Sequence, residues 1–297
     1  MGSLSRGWSM ARASLAVLRR YPKIAILPVI SGAAWLLVLV LLALSLLPLS
    51  GLLYGLTAPL WDKLGSDRAG HIAFYVAAAV VLYALTVVTV FFNVALISCA
   101  LRCHAGQEPS IHAGLAAAKS CLPQILGWAL VAATVGLALN AVESVLQDKL
   151  GIVGDLIGGL FGFAWSVATY FVLPVLVVEK VGPITAIRRS SAILRSKWGE
   201  SLAGETRFGL LGFLFVLQAA VIFFAGLAIQ LSYGTPAMAG LGVLLMALGT
   251  LYGLAIVVIF QVLSTIFLTG VYVYAMTDRI PPTLDAALVA GSFRSKK

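Results

Sequence analysis

The chain is short of charge. Only 10% of its 297 residues are Asp, Glu, Lys or Arg, against roughly 25% in a soluble globular domain. That composition excludes an ordinary water-soluble enzyme or binding module. Acid is scarcer than base, with 11 carboxylates against 20 lysines and arginines. The sequence holds no His-Glu-x-x-His, no phosphate-binding glycine loop and no nucleophile set beside a base. Catalysis finds no support, no cofactor is implied, and the chain reads as non-enzymatic. Cysteine is down to three and histidine to three. Cys99, Cys103, His104, His112 and Cys121 gather in one region, yet no Cys-x-x-Cys pairing exists. Apolar packing and an interfacial histidine explain them better than a zinc site, so no metal is expected. A disulfide framework is not implied either.

What is present is apolar length. Hydrophobic residues make up 61% and the mean hydropathy is +1.04. The runs are continuous and do not alternate, so they predict transmembrane helices and not a barrel. Six spans are expected, at about Ile24–Leu47, Ile72–Leu101, Leu122–Ala141, Ile152–Val178, Phe208–Leu231 and Ala237–Met276. Each meets the requirement of about 20 apolar residues. The last is long enough to cross twice, but no charge or turn cluster interrupts it, so one long helix is expected. The first run is too long for the core of a cleavable signal.

Charge placement orients these spans. Of the 20 lysines and arginines, all but Lys63, Arg68 and Lys149 fall on one side when six spans are drawn. The side rich in cations is the cytoplasmic one, which puts both termini inside and the cysteines at the reducing face. The net charge of +9 then reflects topology and attraction to anionic lipid, not nucleic-acid binding.

Short segments precede the spans. In residues 4–20, Leu4, Trp8, Ala11, Leu15 and Leu18 recur at helical spacing, with Arg12, Arg19 and Arg20 off the stripe. Pro109 opens a second short helix with Lys119 off its apolar side. Pro183 opens a third, where Ile184, Ile187, Ser191, Leu194 and Trp198 share one side and Arg188, Arg189, Arg195 and Lys197 supply charge. Such helices suit a cytoplasmic membrane surface, with cations among head groups. Arg12, Arg19, Lys119, Arg188, Arg189, Arg195 and Lys197 are the candidate lipid contacts. Arg12–Arg19 (RASLAVLR), His112–Lys119 (HAGLAAAK) and Arg188–Arg195 (RRSSAILR) align without gaps and all end on a cation. The fold class is therefore all-α membrane protein: one integral membrane domain over 1–297, built as three hairpins each preceded by a surface helix. Repeats start near residues 4, 109 and 183.

Four other groups carry candidate roles. Gly154, Gly158 and Gly162 set a bare stripe along span four, for helix packing within the monomer or for a homo-oligomer seam. Pro174 should kink that span and free a carbonyl; Glu179 at its end is placed to pair with Arg188 or Arg102. Asn93, Gln218, Gln230 and Gln261 are polar groups inside spans, suited to interhelical hydrogen bonds or to a solute path. Asn140 and Glu143 lie one turn apart at the outer end of span three.

Phe91–Leu101 (FFNVALISCAL), Ile125–Leu137 (ILGWALVAATVGL) and Leu173–Glu200 (LPVLVVEKVGPITAIRRSSAILRSKWGE) resemble a family of uncharacterised prokaryotic integral membrane proteins, defined as a numbered domain of unknown function. More loosely, the Pro-x-x-Ala-x-x-x-Ser pattern of Pro183–Ser190 looks like the six-span membrane domains fused to some glycerophosphodiester phosphodiesterases. The resemblance implies a prokaryotic plasma (inner) membrane and a membrane scaffold. It implies no catalytic residue, since no hydrolase domain accompanies it. Two functions remain open: a lipid-associating or scaffold protein favouring anionic head groups, and a small-solute transporter or channel with its path at the repeat interface.

Overall fold

The computed structural model describes residues 14–46, 68–197, 202–232 and 236–277. Among them there is helix and no strand. A helix over 14–20 (α1) leads into a 3-10 turn at Pro22–Ala25 and then α2, Ile26–Leu46. There follow α3 (Arg68–His104), α4 (Ile111–Ser120), α5 (Leu122–Leu150), α6 (Ile152–Thr169), α7 (Val172–Glu179), α8 (Pro183–Lys197), α9 (Leu202–Ser232) and α10 (Pro236–Thr277).

Five described stretches are long and apolar enough to cross a membrane: α3 from Ala78, α5, α6 with α7 as one run, α9 from Gly212 and α10 from Met238. The expected first span coincides with α2, a 21-residue helix whose side chains are described only as far as Leu37. The outer connection from Pro48 to Asp67, residues 1–13 with Arg12, and the tail from Asp278 lie outside the described residues. The long final run is a single helix of 42 residues. At 1.5 Å per residue it is about 63 Å long, twice the ~30 Å hydrocarbon core.

Span three differs from expectation. It was to end near Ala141, but α5 continues to Leu150. Glu143, Gln147 and Lys149 are polar yet favour helix, so leaving the apolar zone does not end the helix. Gly151 ends it. Its φ of 56° and ψ of −130° suit glycine, and it is the single residue joining α5 to α6.

The chain divides into two compact units. The first holds residues 1–28, 96–114 and 192–297. Its buried residues include Ile24 and Leu27, then Leu96 to His104 at the end of α3, and Val262 to Tyr272 on α10. His104 is 5% exposed. Its Nε2 lies 2.9 Å from the Ile266 carbonyl, a tie between α3 and α10. Of the two histidines in this region, His104 is buried and His112 is exposed.

Within the same unit α9 and α10 pair very closely. A Cβ added at Gly226 would lie 2.7 Å from the Gly242 carbonyl, and one at Gly249 would lie 2.7 Å from the Phe223 amide. At Gly212 the space is taken by the Phe260 ring, 2.8 Å away. Bare backbone lets the two helices touch main chain to main chain, which is how helices gain contact where lipid supplies no hydrophobic drive.

The second unit holds residues 29–95 and 115–191. In it α2 meets α3 through Trp35, whose indole N–H donates to the Thr89 hydroxyl at 2.7 Å. α5 and α6 pack as a hairpin, with Trp128 stacked on Trp165 at 6.1 Å between centroids. Its buried residues include Ile125 and Ala129 on α5, Phe171, Val172, Val175 and Leu176 around α7, and Ala186 on α8. The turn-side half of the hairpin exposes Leu137, Val145, Ile152 and Leu156 among its polar residues. Such a surface belongs in lipid or against another protein.

Candidate membrane-surface site

Span four breaks where it meets the third short helix. Pro174 has no N–H, and its ring displaces the carbonyl four residues back, at Tyr170. The helix accordingly stops at Thr169 and restarts at Val172. Pro174 then sits in the first turn of α7, where proline is tolerated. At the break the Tyr170 amide turns to the Val167 carbonyl, at 3.3 Å. The buried Phe171 amide beside the break reaches an acceptor on another element. Ser190 of α8 provides it: its hydroxyl oxygen accepts from the Phe171 N–H at 3.0 Å. The neighbouring Ser191 hydroxyl approaches the Ala168 carbonyl at 3.5 Å. The two serines close both sides of the break. Sequence reading anticipated the kink and the freed carbonyl but missed Ser190 and Ser191. The available signal was a pair of hydroxyls in a short helix following a proline-bearing span.

Three further contacts fix α8. α7 ends at Lys180, which takes a left-handed φ of 50°, and its carbonyl accepts from the Gln124 side chain of α5 at 3.2 Å. The Pro183 ring lies over Gly127 of α5, where an added Cβ would stand 3.2 Å from it. The Glu179 carboxylate meets the guanidinium Nε of Arg189 at 3.1 Å. The expected partners were Arg188 or Arg102, and this is a correction. Arg189 borders the docked side of α8, three residues from Ala186 and four from Ile193. Arg188 is turned about 100° further round and faces outward.

One side of α8 packs on protein. Ala186, Ser190, Ile193 and Leu194 are buried, while Ile184 is 61% exposed. The helix is rotated so that its small residues meet protein. Its outward stripe carries Ile184, Arg188, Ala192 and Arg195, all exposed. Arg188 and Arg195 are two turns apart on that stripe, about 10 Å along the axis. Arg19 and Lys119 are exposed at the ends of α1 and α4. Lys197 closes α8, and its side chain, with Trp198, lies outside the described residues.

Burial follows the sequence repeat. In the gapless alignment Ser14, Gly114 and Ser190 occupy one position, and all are buried. Leu18, Ala118 and Leu194 share another, also buried. Ala16, Ala116 and Ala192 are all exposed, as are Arg19, Lys119 and Arg195. A cation in the last turn is favoured by the helix dipole in any case. The matched buried positions have no such local cause.

The glycine stripe of span four is uneven. Gly154 lies against the Leu146 carbonyl and Gly158 against the Glu143 side chain of α5, while nothing stands within 4 Å of a Cβ at Gly162. Gly162→Ala should therefore stabilise the protein by roughly 0.5–1 kcal/mol through helix propensity. Gly158→Ala should gain nothing, because the Glu143 stem stands 2.9 Å from the new methyl. Denaturation of the two variants in detergent checks this; equal effects would mean the stripe does not face α5. Among the intramembrane polar residues, Gln218 accepts from the Tyr252 hydroxyl at 3.1 Å, Asn93 and Gln261 are half-buried, and Gln230 is exposed. Asn140 and Glu143 are both exposed on α5. Among the described residues no three His, Cys, Asp or Glu side chains gather as a metal site would need.

A family model, "Family of unknown function (DUF6159)", matches residues 72–281. The chain belongs to that family. The matched region runs from α3 through α10 and contains the broken span, α8 and both tight hairpins. A search of curated proteins found no match.

Proposed function

We propose that this member of the family is a six-span protein of the plasma (inner) membrane, with both termini cytoplasmic, that works without catalysis as a lipid-associating scaffold. Three repeats, each a surface helix followed by a membrane hairpin, make up the fold. The matched burial of α1, α4 and α8 supports the repeat, and the cation asymmetry supports the orientation. One observation carries the lipid reading. α8 is moored on protein through Ser190, Glu179 and Pro183, and what it shows outward is Arg188 and Arg195 beside Ile184. A moored helix holds its cations at fixed depth without paying to order them. Cations at an anionic leaflet contribute roughly 1 kcal/mol each.

A solute path at the repeat interface is the competing use. It would need Asn93, Gln218 and Gln261 to line it, but Gln218 is on an exposed helix face and engaged with Tyr252.

The double variant Arg188→Gln/Arg195→Gln should lose about ten- to thirty-fold in preference for phosphatidylglycerol over phosphatidylcholine, from two such cations. Native mass spectrometry of co-purified lipid measures it. Equal loss of both lipids, or no loss of either, would sink the lipid reading.

A further inference from the structure

Gln218 sits in the middle of α9, on its exposed side but near enough to the pairing with α10 for the Tyr252 hydroxyl to reach it. It lies about 16 Å along the axis from Arg207 and about 21 Å from Ser232, so no shift of the helix brings it to an interface of a ~30 Å core. The side of α9 that meets α10 is the one carrying Gly212, Ala219 and Gly226. Gln218 is on the exposed side, with Leu214 and Val221 a turn away on either hand. The Tyr252 hydroxyl satisfies its Oε1. Among the described residues its Nε2 meets no hydrogen-bond partner. Exchanging the amide ends would leave the other end over and the count the same. In hydrocarbon an amide left in that state costs several kcal/mol, so something polar must cover it from the side.

We propose that Gln218 is the centre of a homodimer contact, in which two copies of this chain bring their α9 faces together about a two-fold axis and the paired amides exchange hydrogen bonds. A primary amide is both donor and acceptor, so it is complementary to itself. A two-fold axis presents the same residue to itself, and each Nε2 then donates to the partner amide. A solute path does not fit this position, because α9 and α10 touch backbone to backbone behind it. The proposal does not rest on the lipid reading of α8.

Full-length protein in phosphatidylcholine vesicles tests this. Val221→Cys places a thiol one turn from Gln218, while the native cysteines are buried. Oxidation should give a disulfide dimer in high yield, well above a Leu160→Cys collision control on exposed α6. Adding Gln218→Leu should weaken dimerisation about tenfold, as expected for two interhelical hydrogen bonds, with the monomer's thermal stability unchanged. Three outcomes overturn the proposal: cross-linking at Val221→Cys no better than the control, cross-linking indifferent to Gln218→Leu, or unfolding of Gln218→Leu and Tyr252→Phe alike. The last would place the amide's role inside the hairpin.

Discussion

Gly249→Leu should separate α9 from α10 and cost more than about 3 kcal/mol. The site has no slack. A single added carbon at Gly249 stands 2.7 Å from the Phe223 amide, 3.0 Å from its Cα and 3.1 Å from the Ala219 carbonyl. All three are backbone atoms, which cannot swing aside as a side chain can. Inserting extra carbons into a tight core costs about 1–3 kcal/mol where side chains adjust; here the helices themselves must part. Parting them also removes the fit of Phe260 over Gly212 and of Gly253 against Ala219. Gly240→Leu is the control, since nothing stands within 4 Å of it and it is exposed. Unfolding of both variants in detergent, followed by helix content against denaturant, measures the difference. Loss of less than about 1 kcal/mol in Gly249→Leu would mean that the helices are not held at this distance.

The existence of this pair was legible in the sequence; its closeness was not noticed. Two long apolar runs with a short gap between them give two helices. Their mutual faces cannot be found from polarity, because both helices are apolar all round. The sign was residue size. Gly212, Ala219 and Gly226 recur at seven residues on α9, and Gly242 and Gly249 do so on α10. A seven-residue period keeps one seam facing a neighbouring helix. The glycines of span four drew attention instead, since their four-residue spacing is the better-known signature. Two of those three do meet α5, and Gly162 does not, although Trp165 beyond it stacks on Trp128 of α5.

The candidate site was legible in a different way. Pro174 and Pro183 fixed where the chain would bend, and Glu179 marked an ion pair at the end of the span. Polarity on a helical wheel could not rotate α8 correctly. Its apolar residues are spread round the helix, and the docked face was selected by small size and hydroxyl chemistry at Ala186 and Ser190. The register of α8 goes with a hydrogen bond from the Phe171 amide at the break of span four, which no reading of α8 alone contains. The same holds for Arg189 over Arg188, since the rotation decides which guanidinium reaches Glu179.

The double variant Ser190→Ala/Ser191→Ala should cost about 3 kcal/mol, most of it from Ser190. Ser190 and Phe171 are both fully buried, so water cannot replace the hydroxyl. Removing it takes a buried hydrogen bond from the Phe171 amide in a low-dielectric setting, at about 1–3 kcal/mol. Ser191 adds less, because its contact with Ala168 is 3.5 Å long, the edge of useful hydrogen bonding. The break itself should persist, since Pro174 causes it. What is lost is the mooring of α8, with Glu179–Arg189 left as a half-exposed ion pair worth under about 1 kcal/mol. The variant should therefore also lose part of its preference for phosphatidylglycerol, although every arginine is still in place. Ser191→Ala alone should change stability by less than about 0.5 kcal/mol. If Ser191→Ala proves as costly as Ser190→Ala, the amide at Phe171 is not what holds the helix. If stability falls while lipid preference is untouched, the mooring of α8 and its binding of lipid are unconnected.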